Sequence, residues 1–407
     1  MTMRACLRYI LLLIALPFTL LLSAQNNTSS PFSCYGLGDV NDNVPNAYRA
    51  MGSVGIGMRN RKVICPSQPA SITACDSLTF MFDLAADVMW TRYGDDAGKK
   101  NKANGNLEYI TLQFPIYKRW IGFSAGLMPY SSVGYDIVIR DSIKSDYHYK
   151  STFFGNGGIS EVYAGLSFNL FDWVAVGANF YYMFGDVTNS RSVVFDEAEV
   201  NAVIQASETS VSSVRFREGL QFFHTFGKHS FVLGGIFENK RTLRSDYTVA
   251  ESTQLDTVWT AENIAQVPMM FGVGASYTWD NRLTIGFDYS RQYWSQTKYM
   301  DGFDALRDRN KYAFGMEYRH NPIGRNYAER MFWRVGCNIA DSYVTKITKP
   351  DYMVSLGFGF PLRNAGTVFN ATIEYGHRGP AASLEENYIR FTINAAICEN
   401  WFFKRRL

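Results

Sequence analysis

Apolar and polar residues alternate along most of the chain, from residue 77 to the C-terminal end. In the stretch SLTFMFDLAADVMW, Phe80, Phe82 and Leu84 share one face of an extended chain. Asp83 and Asp87 lie on the opposite face. A spacing of two residues is the period of a β-strand. The same pattern returns in VYAGLSFNL, LTIGFDYS, VSLGFGF and YIRFTINAAI, and it predicts an all-β protein.

The segments are connected by very short turns and by longer polar loops, and these two kinds of connection alternate along the chain. Counting the segments predicts 14 strands, which is an even number. The predicted spans are 77–92, 105–117, 119–136, 158–171, 173–190, 211–226, 229–245, 266–279, 282–299, 310–320, 328–343, 351–362, 366–377 and 386–398. Short turns on the periplasmic side and long loops outside are typical of outer-membrane β-barrels.

The two faces of these strands differ in composition. The polar faces are rich in glycine and in charges of both signs, whereas the apolar faces end in clusters of Tyr, Trp and Phe. Lipid outside, a partly polar lumen inside and aromatic girdles at both interfaces produce this distribution. Because every backbone group must be paired within hydrocarbon, only a closed sheet can span a membrane. The sequence therefore predicts a 14-stranded antiparallel transmembrane β-barrel.

The sixth segment, SVRFREGLQFF, departs from the pattern. It places Glu218 in line with Phe216, Leu220 and Phe222, which belong to the apolar face. A β-bulge, in which one strand carries an extra residue, would restore the alternation. We expect such a bulge near Gly219.

The N-terminal part of the chain has a different character. Residues 1–24 combine a short basic region, an apolar run and the small residues Ser23 and Ala24, which predicts a cleaved secretory signal peptide. Residues 25–76 do not alternate and are rich in Gly, Asn, Pro and Ser. We expect them to form a plug inside a barrel made by residues 77–407. This arrangement places the protein in the outer membrane of a Gram-negative cell.

Charge and cysteine content narrow the range of partners. The net charge is +3, and it falls to about +1 once the signal peptide with Arg4 and Arg8 is removed. A net charge this close to zero gives no reason to expect a nucleic-acid partner. Five cysteines remain after cleavage, so at least one of them lies outside any intramolecular bridge. Cys65 and Cys75 are close in sequence and are the best candidates for a disulfide.

Several short motifs resemble catalytic or ligand sites, but their context favours a structural role. Gly122–Gly126 reads G-F-S-A-G, yet a nucleophile elbow requires a strand-to-helix turn, and Ser124 lies within a predicted strand. DVNDN lacks the glycine and glutamate of a calcium loop. GSVGIG follows no predicted strand, so it is not expected to bind phosphate. We expect no enzymatic activity, no metal and no cofactor.

Charged residues on the inward faces form the largest group of candidate site residues. They are Asp83, Asp87, Glu161, Glu238, Asp288, Glu317, Arg334, Glu374 and Arg390. We expect them to tie the plug to the barrel wall through charge-assisted hydrogen bonds. The alternative is a polar site for an amphipathic ligand, with Arg334 or Arg390 facing a carboxylate.

The third segment contains a break, GLMPYSSVGY. Pro129 lacks the N–H that a strand donates to its neighbour, and Gly126 and Gly134 permit unusual backbone angles. We expect the wall to bend or open between Met128 and Ser132, with Tyr130 at its centre. The alternative is that the strand ends at Pro129 on the extracellular rim.

The motif QPAS, formed by Gln68, Pro69, Ala70 and Ser71, precedes the first predicted strand. With its 14 strands and N-terminal plug, the chain resembles the FadL/TodX family of outer-membrane transporters for long-chain fatty acids and other hydrophobic compounds. That family typically has Asn-Pro-Ala at this point, and Gln68 replaces the asparagine. The stretches SPFSCYGLGDV, AMGSVGIG and WFFKRRL are similar to those of members from the Bacteroidetes.

This resemblance implies passive transport of hydrophobic or amphipathic small molecules. The ligand would enter near the extracellular loops and leave sideways into outer-membrane lipid, through a gap where the third strand kinks. Gly126, Met128, Pro129, Tyr130 and Gly134 would form this lateral gate. The alternative is a non-transporting barrel that binds a protein partner, as relatives do in type IX secretion. A hydrolase is disfavoured because Ser124 has no supporting histidine and acid.

Overall fold

The structure is a computed structural model that describes residues 28–95, 98–143, 147–196, 201–252, 257–298, 306–362, 366–381 and 384–400. The signal peptide predicted for residues 1–24 and the closing stretch WFFKRRL lie outside the described residues. The boundaries of the predicted domains therefore stay predictions.

Fourteen antiparallel strands close into a barrel, which confirms the predicted fold class. They are β1 (Thr79–Asp95), β2 (Gly98–Tyr117), β3 (Ile121–Ile143), β4 (Tyr147–Phe171), β5 (Val174–Phe195), β6 (Val203–Phe226), β7 (His229–Glu238), β8 (Met270–Trp279), β9 (Leu283–Gln292), β10 (Arg309–Tyr318), β11 (Phe332–Ala340), β12 (Asp351–Pro361), β13 (Val368–Ala381) and β14 (Leu384–Asn400). Each strand pairs with the next, and β14 pairs with β1.

Residues along each strand alternate between an exposed apolar face and a buried polar face. On β4, Val162 and Leu166 are 45% and 43% exposed, whereas Glu161 and Ser167 are fully buried. Exposed aromatic residues, such as Trp173 and Trp279, lie near the short turns. These outward residues form the apolar belt of a transmembrane β-barrel. Following the usual arrangement of outer-membrane barrels, the short-turn end is called here the periplasmic end and the long-loop end the extracellular end. No helix in the described ranges is long and apolar enough to cross a membrane.

The bulge expected near Gly219 is absent from the described residues of β6, so that prediction is wrong. The register of β6 runs without interruption through Gly219 against both β5 and β7. Because no residue is inserted, Glu218 stays on the same face as Phe216 and Leu220, and its side chain is exposed.

The long connection between β7 and β8 adds short strands beyond the apolar belt. The strand Ser245–Ser252 pairs with the upper part of β6 and with the strand Thr257–Glu262. Below it, the short strands Arg241–Thr242 and Gln266–Val267 pair with one another. The strand predicted over residues 229–245 therefore ends earlier, at Glu238.

Residues 28–78, called here the N-terminal segment, precede the barrel and pack against the inner side of its wall. They contain two 3₁₀-helices, Pro31–Cys34 and Pro69–Ala74, a short strand, Asp39–Val40, and one helical turn, Asn46–Arg49. Ala50, Met51 and Val54 are fully buried. Two further short helices, Trp294–Gln296 and Tyr327–Arg330, lie in connections between barrel strands.

The predicted disulfide between Cys65 and Cys75 is not present, because both residues carry free thiols. The Cys65 sulfur lies 3.1 Å from the Ser67 hydroxyl. Cys75 packs instead against Ile64 and Met81 in a separate apolar cluster. The two thiols therefore stabilise different parts of the N-terminal segment as small apolar side chains.

Candidate functional site

The ladder between β2 and β3 covers only the periplasmic part of the two strands. It begins with Tyr117 opposite Ile121 and ends with Ile110 opposite Leu127. Beyond Leu127, β3 continues to pair with β4 as far as Ile143. The line between β2 residues 98–109 and β3 residues 128–143 is called here the seam.

Two bulges lie where the seam begins. On β3, Pro129 is opposite Ser160 and Ser131 is opposite Ile159, so Tyr130 is an extra residue. On β2, Glu108 is skipped in the register with β1. A bulge bends its strand and increases the local twist. Because both strands bend at this level, they separate here, and Pro129 has no N–H with which to continue the ladder.

The structure places the predicted gate residues at or next to the seam. Met128 is buried against Tyr109 and Tyr163, and Tyr130 is also buried. Gly126 lies below the seam, where it still pairs with Thr111. The role of these residues as a gate stays a prediction.

The N-terminal segment takes the place of β2 along the seam. Val40 pairs with Ser131, and Asp39 pairs with Ser132, in antiparallel register. The Asn41 N–H donates to the carbonyl of Tyr130 at 2.9 Å. A few residues further on, the N–H of Gly134 donates to the Ser33 hydroxyl at 3.0 Å. Residues 33–41 thus bond to the edge of β3 that β2 leaves.

A cluster of ion pairs lies on the inner side of the seam. Arg49 contacts Glu108 at 2.7 Å and Glu374 at 3.0 Å. Arg390 lies 3.4 Å from Asp87. Since the bulge at Glu108 turns that carboxylate inward, the same irregularity that opens the wall also supplies a partner for Arg49.

A second cluster lies beneath β3 and joins β4, β6 and β7. Arg215 contacts Glu161 at 2.7 Å and Glu238 at 2.8 Å. Arg217 bonds to the other oxygen of Glu238. The Arg215 guanidinium also lies 4.0 Å from the centre of the Tyr181 ring. From the N-terminal segment, the Asn43 side chain donates to Glu161 at 2.6 Å.

The glycine-rich stretch GSVGIG encloses a carboxylate of the barrel wall. The backbone N–H groups of Gly55 and Ile56 donate to one oxygen of Asp288, at 2.6 and 2.7 Å. The Gly57 N–H donates to the other oxygen at 3.1 Å. Successive N–H groups that converge in this way form an anion-binding nest. The anion in this nest is a side chain of β9, so the stretch anchors the N-terminal segment.

Gln68, Pro69 and Ala70 also contact the wall. The Gln68 amide, fully buried, donates to the carbonyl of Ile56 at 3.0 Å and to that of Gly235 at 3.3 Å. Its side-chain oxygen accepts from the Ala70 N–H at 3.3 Å, which caps the 3₁₀-helix Pro69–Ala74. A Cβ atom at Gly177 would lie 2.6 Å from the carbonyl group of Pro69, so glycine is required for this close approach.

The remaining predicted network residues are also paired inside the barrel. Asp83 accepts from the Asn394 amide at 2.7 Å. Arg334 contacts Glu317 at 2.7 Å and donates to the Asn370 side chain at 2.6 Å. Arg334 and Arg390 therefore both face carboxylates of the protein itself. The network role and the ligand-binding alternative both stay predictions.

Several charged residues of these clusters were not predicted from the sequence. Arg215 and Arg217 alternate with Phe216 on β6 and face inward, so the period of two could have predicted their inward position. Glu108 carried none, because only the bulge turns it inward. Arg49 lies in the N-terminal segment, where no alternation exists to assign a face.

Small polar cavities lie behind the seam. One cavity of about 100 Å³ is lined by residues that include Glu108, Tyr109 and Met128. A cavity of about 40 Å³ lies between Leu107 and Pro129. A much larger space, about 1230 Å³, lies at the periplasmic end beside the short turns. Within the described ranges, the residues nearest the seam therefore leave only small spaces, whereas the periplasmic end is wide.

Charge and burial set the acidity of two groups in the N-terminal segment. Burial alone would raise the pKa of Asp42, but Lys311 at 2.6 Å and Arg309 at 3.3 Å outweigh it and hold that pKa well below its usual range. Burial raises the pKa of the Cys65 thiol to about 11. Asp42 thus persists as a carboxylate in mild acid, and Cys65 is a thiol at neutral pH.

Ser124, the central residue of the G-x-S-x-G motif, lies within β3. Its hydroxyl donates to the carbonyl of Leu112 at 2.9 Å and lies 2.8 Å from the Tyr163 hydroxyl. The side chain is buried inside the barrel. These contacts give Ser124 a structural role between β2 and β4.

A family model described as BamG matches residues 6–407 of the chain. No curated protein matches the sequence. Among solved structures, the toluene transporter TbuX of Ralstonia pickettii is similar, with a TM-score of 0.59 and 14% identity over 88% of this chain and 98% of that one. A FadL homologue of Pseudomonas aeruginosa gives a TM-score of 0.61 and 13% identity, over 88% and 99% of the two chains. The toluene transporter TodX of Pseudomonas putida gives 0.58 and 14%, over 90% and 99%. At these identities the likeness shows a shared fold.

Proposed function

The chain belongs to the BamG family, and we propose that it carries hydrophobic or amphipathic small molecules passively across the outer membrane. In this proposal the ligand enters at the long-loop end, passes into the barrel interior and leaves through the seam into lipid. The toluene transporters TbuX and TodX, which share the fold, support the proposal. A ligand that moves between apolar environments needs no energy source other than its own gradient.

The observation that carries the proposal is the position of the seam. It begins between Ile110 and Leu127, at the level of the apolar belt. Leu107 and Leu127, which flank it, are 48% and 38% exposed on the outward face. An opening at this level would release a hydrophobic molecule into lipid without passage through water.

Passage also requires the N-terminal segment to move. A site for a drug-sized ligand has a volume of roughly 300 Å³ or more. The cavity of about 100 Å³ behind the seam is too small for such a molecule. We infer that residues 33–41 leave the edge of β3 when a ligand passes.

The contacts of the N-terminal segment divide it into a weakly and a strongly held part. Residues 33–41 are held by a short pairing around Val40 and by the Ser33 hydroxyl. An ion pair between Asp39 and Arg378 at 2.9 Å and the Tyr343 hydroxyl, which donates to the carbonyls of Tyr35 and Gly38, also hold them. Residues 55–70 are held by the nest around Asp288 and by Gln68. Fewer bonds need to break for the first part to move, so we expect it to open while the second part stays in place.

A second candidate function is that of a barrel that binds a protein partner without transport. The filled interior favours it, because Arg49, Arg215 and Arg334 are all paired with carboxylates. In that case the N-terminal segment would be a permanent part of the core, and the loops at the long-loop end would contact the partner.

Uptake of a labelled long-chain fatty acid or of labelled toluene tests the transport proposal. A strain lacking the gene would be compared with the same strain carrying it, and the protein in the outer membrane would be quantified. We expect faster uptake of at least one ligand when the protein is present. If the two strains took up each ligand at the same rate, and a stoichiometric protein partner were recovered in mild detergent, the second candidate would be favoured.

A further inference from the structure

The wide space at the periplasmic end, called here the vestibule, has a volume of about 1230 Å³. Eight basic and four acidic residues line it, so its charge is positive. Five of the basic residues form a region called here the basic wall, which consists of Arg59, Arg61, Lys62, Lys118 and Arg119. The first three belong to the N-terminal segment, and the other two lie in the turn between β2 and β3. A cavity lined by an excess of one charge attracts ligands of the opposite charge.

Two carboxylates lie beside the basic wall, but they leave it positive. Asp76 is shared, because Arg61 and Arg119 both contact it, at 3.4 and 2.6 Å. Asp172 lies in the adjacent turn, between β4 and β5, and also lines the vestibule. Five cations therefore face two carboxylates in this region.

The charge of Arg59 is not balanced by any carboxylate. Its guanidinium donates to the carbonyl of Ala70 at 2.9 Å and to side-chain oxygens of Thr73, Gln221 and Asn169 at 3.0, 3.2 and 3.3 Å. All four acceptors are neutral. In the part of the chain that the structure describes, Arg59 forms no ion pair, although its side chain is largely buried.

Arg49 of the same segment provides a contrast with Arg59. Burial alone would lower the pKa of Arg49, but Glu108 and Glu374 outweigh this effect and raise that pKa. Burial lowers the pKa of Arg59 to about 10, and no carboxylate opposes the change. A charge taken out of water is costly without a counter-ion. An anion bound in the vestibule would supply the counter-ion that Arg59 lacks.

We propose that the vestibule binds an acidic segment of a periplasmic polypeptide, whose carboxylates lie against the basic wall. Clusters of arginine recognise acidic peptide motifs through charge-assisted hydrogen bonds. The exposed side chains of Arg61, Lys62 and Arg119 would contact the carboxylates, and Arg59 adds a fixed positive charge behind them. The vestibule lies at the periplasmic end, below the seam, so this proposal is independent of whether the barrel transports a ligand.

The size and polarity of the vestibule favour a peptide over a small anion. Pockets for small molecules measure roughly 300 to 1000 Å³, and the vestibule is larger. Amide and hydroxyl side chains make up much of the remaining lining, among them Asn60, Thr225, Ser230, Thr278 and Asn281. Such groups can bond to both the N–H and the C=O of a peptide backbone. The closing stretch WFFKRRL has three basic residues and no acidic one, so its side chains do not complement the basic wall.

Binding of a fluorescent decapeptide rich in Asp and Glu to the full-length protein in a nonionic detergent tests the proposal. A peptide with Asn and Gln at the acidic positions is the control. We expect only the acidic peptide to bind, with an affinity that falls as the salt concentration rises. A photoreactive group on the acidic peptide should form adducts with residues that line the vestibule.

A double variant, Arg61→Gln with Lys62→Gln, should bind the acidic peptide about fivefold more weakly, because two exposed ion pairs are lost. The matched control is Lys99→Gln with Lys100→Gln, which removes the same charge from exposed positions at the extracellular end of β2. This control should bind like the original protein. The shift in gel mobility that heating causes should be the same for every variant, which shows that each barrel is folded.

Failure of the acidic peptide to bind would overturn the proposal. So would equal binding of the neutral peptide, equal weakening in the two double variants, or adducts that lie outside the vestibule. Citrate serves as the small-anion competitor. If citrate displaced the labelled peptide as effectively as the unlabelled peptide does, the ligand would be a small anion, and the assignment to a polypeptide would be wrong.

Discussion

Val40 of the N-terminal segment pairs with Ser131 of β3, on the strand edge that β2 leaves beyond Leu127. An unpaired strand edge readily accepts another strand. In hydrocarbon, unpaired backbone groups would also be costly. The pairing of Val40 with Ser131 therefore stabilises a wall that would otherwise be open, and its removal is the step that our account requires for passage.

Replacement of Pro129 with valine should close part of the seam. Valine restores an N–H at the point where the β2–β3 ladder ends, and one added hydrogen bond is worth about 1 kcal/mol. Uptake should fall about fivefold. The shift in gel mobility that heating causes, which serves as the folding control, should stay unchanged. The control is Pro115→Val on β2, since Pro115 already pairs with Gly122 in the closed part. Unchanged uptake in the first variant would count against a role of Pro129 in the gate.

Replacement of Asp288 with asparagine should loosen the strongly held part of the N-terminal segment. The N–H groups of Gly55, Ile56 and Gly57 would lose a charged acceptor, which costs about 1–3 kcal/mol. Trypsin cleavage next to Arg59 and Arg61 should become at least fivefold faster. The same substitution at Asp246, which is exposed on an extracellular strand, should leave the rate unchanged. Equal rates in both variants would show that the nest does not anchor the segment.

The contact of Asp42 with Lys311 and Arg309 predicts a pH dependence. The pKa of Asp42 is lower in the folded protein than in the unfolded chain, whose aspartates have a pKa of about 3.9. The contribution of Asp42 to stability is therefore fully present above about pH 4 and is lost as the pH falls through its folded value.

Pepsin cleavage of the N-terminal segment can measure this contribution below pH 5. The Asp42→Asn variant should be cleaved faster than the original protein at pH 4 to 5, and the difference between the two rates should shrink steadily as the pH falls below 4. A difference between the two proteins that stays constant over this range would contradict the assignment of the effect to Asp42.

Two native cysteines report which part of the N-terminal segment moves. Cys34 lies in the part along the seam, whereas Cys65 lies in the strongly held part beside Ser67. With ligand present, alkylation of Cys34 should become faster. Cys65 should stay unreactive, because it is buried and its pKa is raised to about 11. Equal acceleration at both cysteines would indicate that the whole segment leaves, and no change at Cys34 would contradict opening at the seam.

The alternation of residues was sufficient to predict the barrel. A strand with one face in lipid and one in a polar lumen has a strict period of two, so the number of strands and the inward position of Asp83 or Glu374 follow from sequence. Glu218 was mispredicted for the same reason. We assumed that a carboxylate must face inward, whereas the unbroken register keeps it outward.

The seam could be predicted only in part. Pro129 indicated that β3 is irregular, but its separation from β2 also depends on the bulge at Glu108, for which the sequence gives no sign. The pairing of Val40 with Ser131 was not predictable either. Val40 lies in an irregular segment, and such a segment has no period that sets its register against a strand far away in the sequence. Tertiary contacts decide such pairings.

A reversible disulfide between Val40→Cys and Ser131→Cys gives the most direct test of the central claim, that residues 33–41 must leave β3 before a ligand can pass. The two positions face each other in an antiparallel pair, at a separation that suits a disulfide. Cys34 would be replaced by serine to prevent mispairing, and each single cysteine variant would serve as a control. We predict that oxidation abolishes uptake of the labelled ligand and that a reductant restores it. Equal uptake in the oxidised and reduced states would contradict the account.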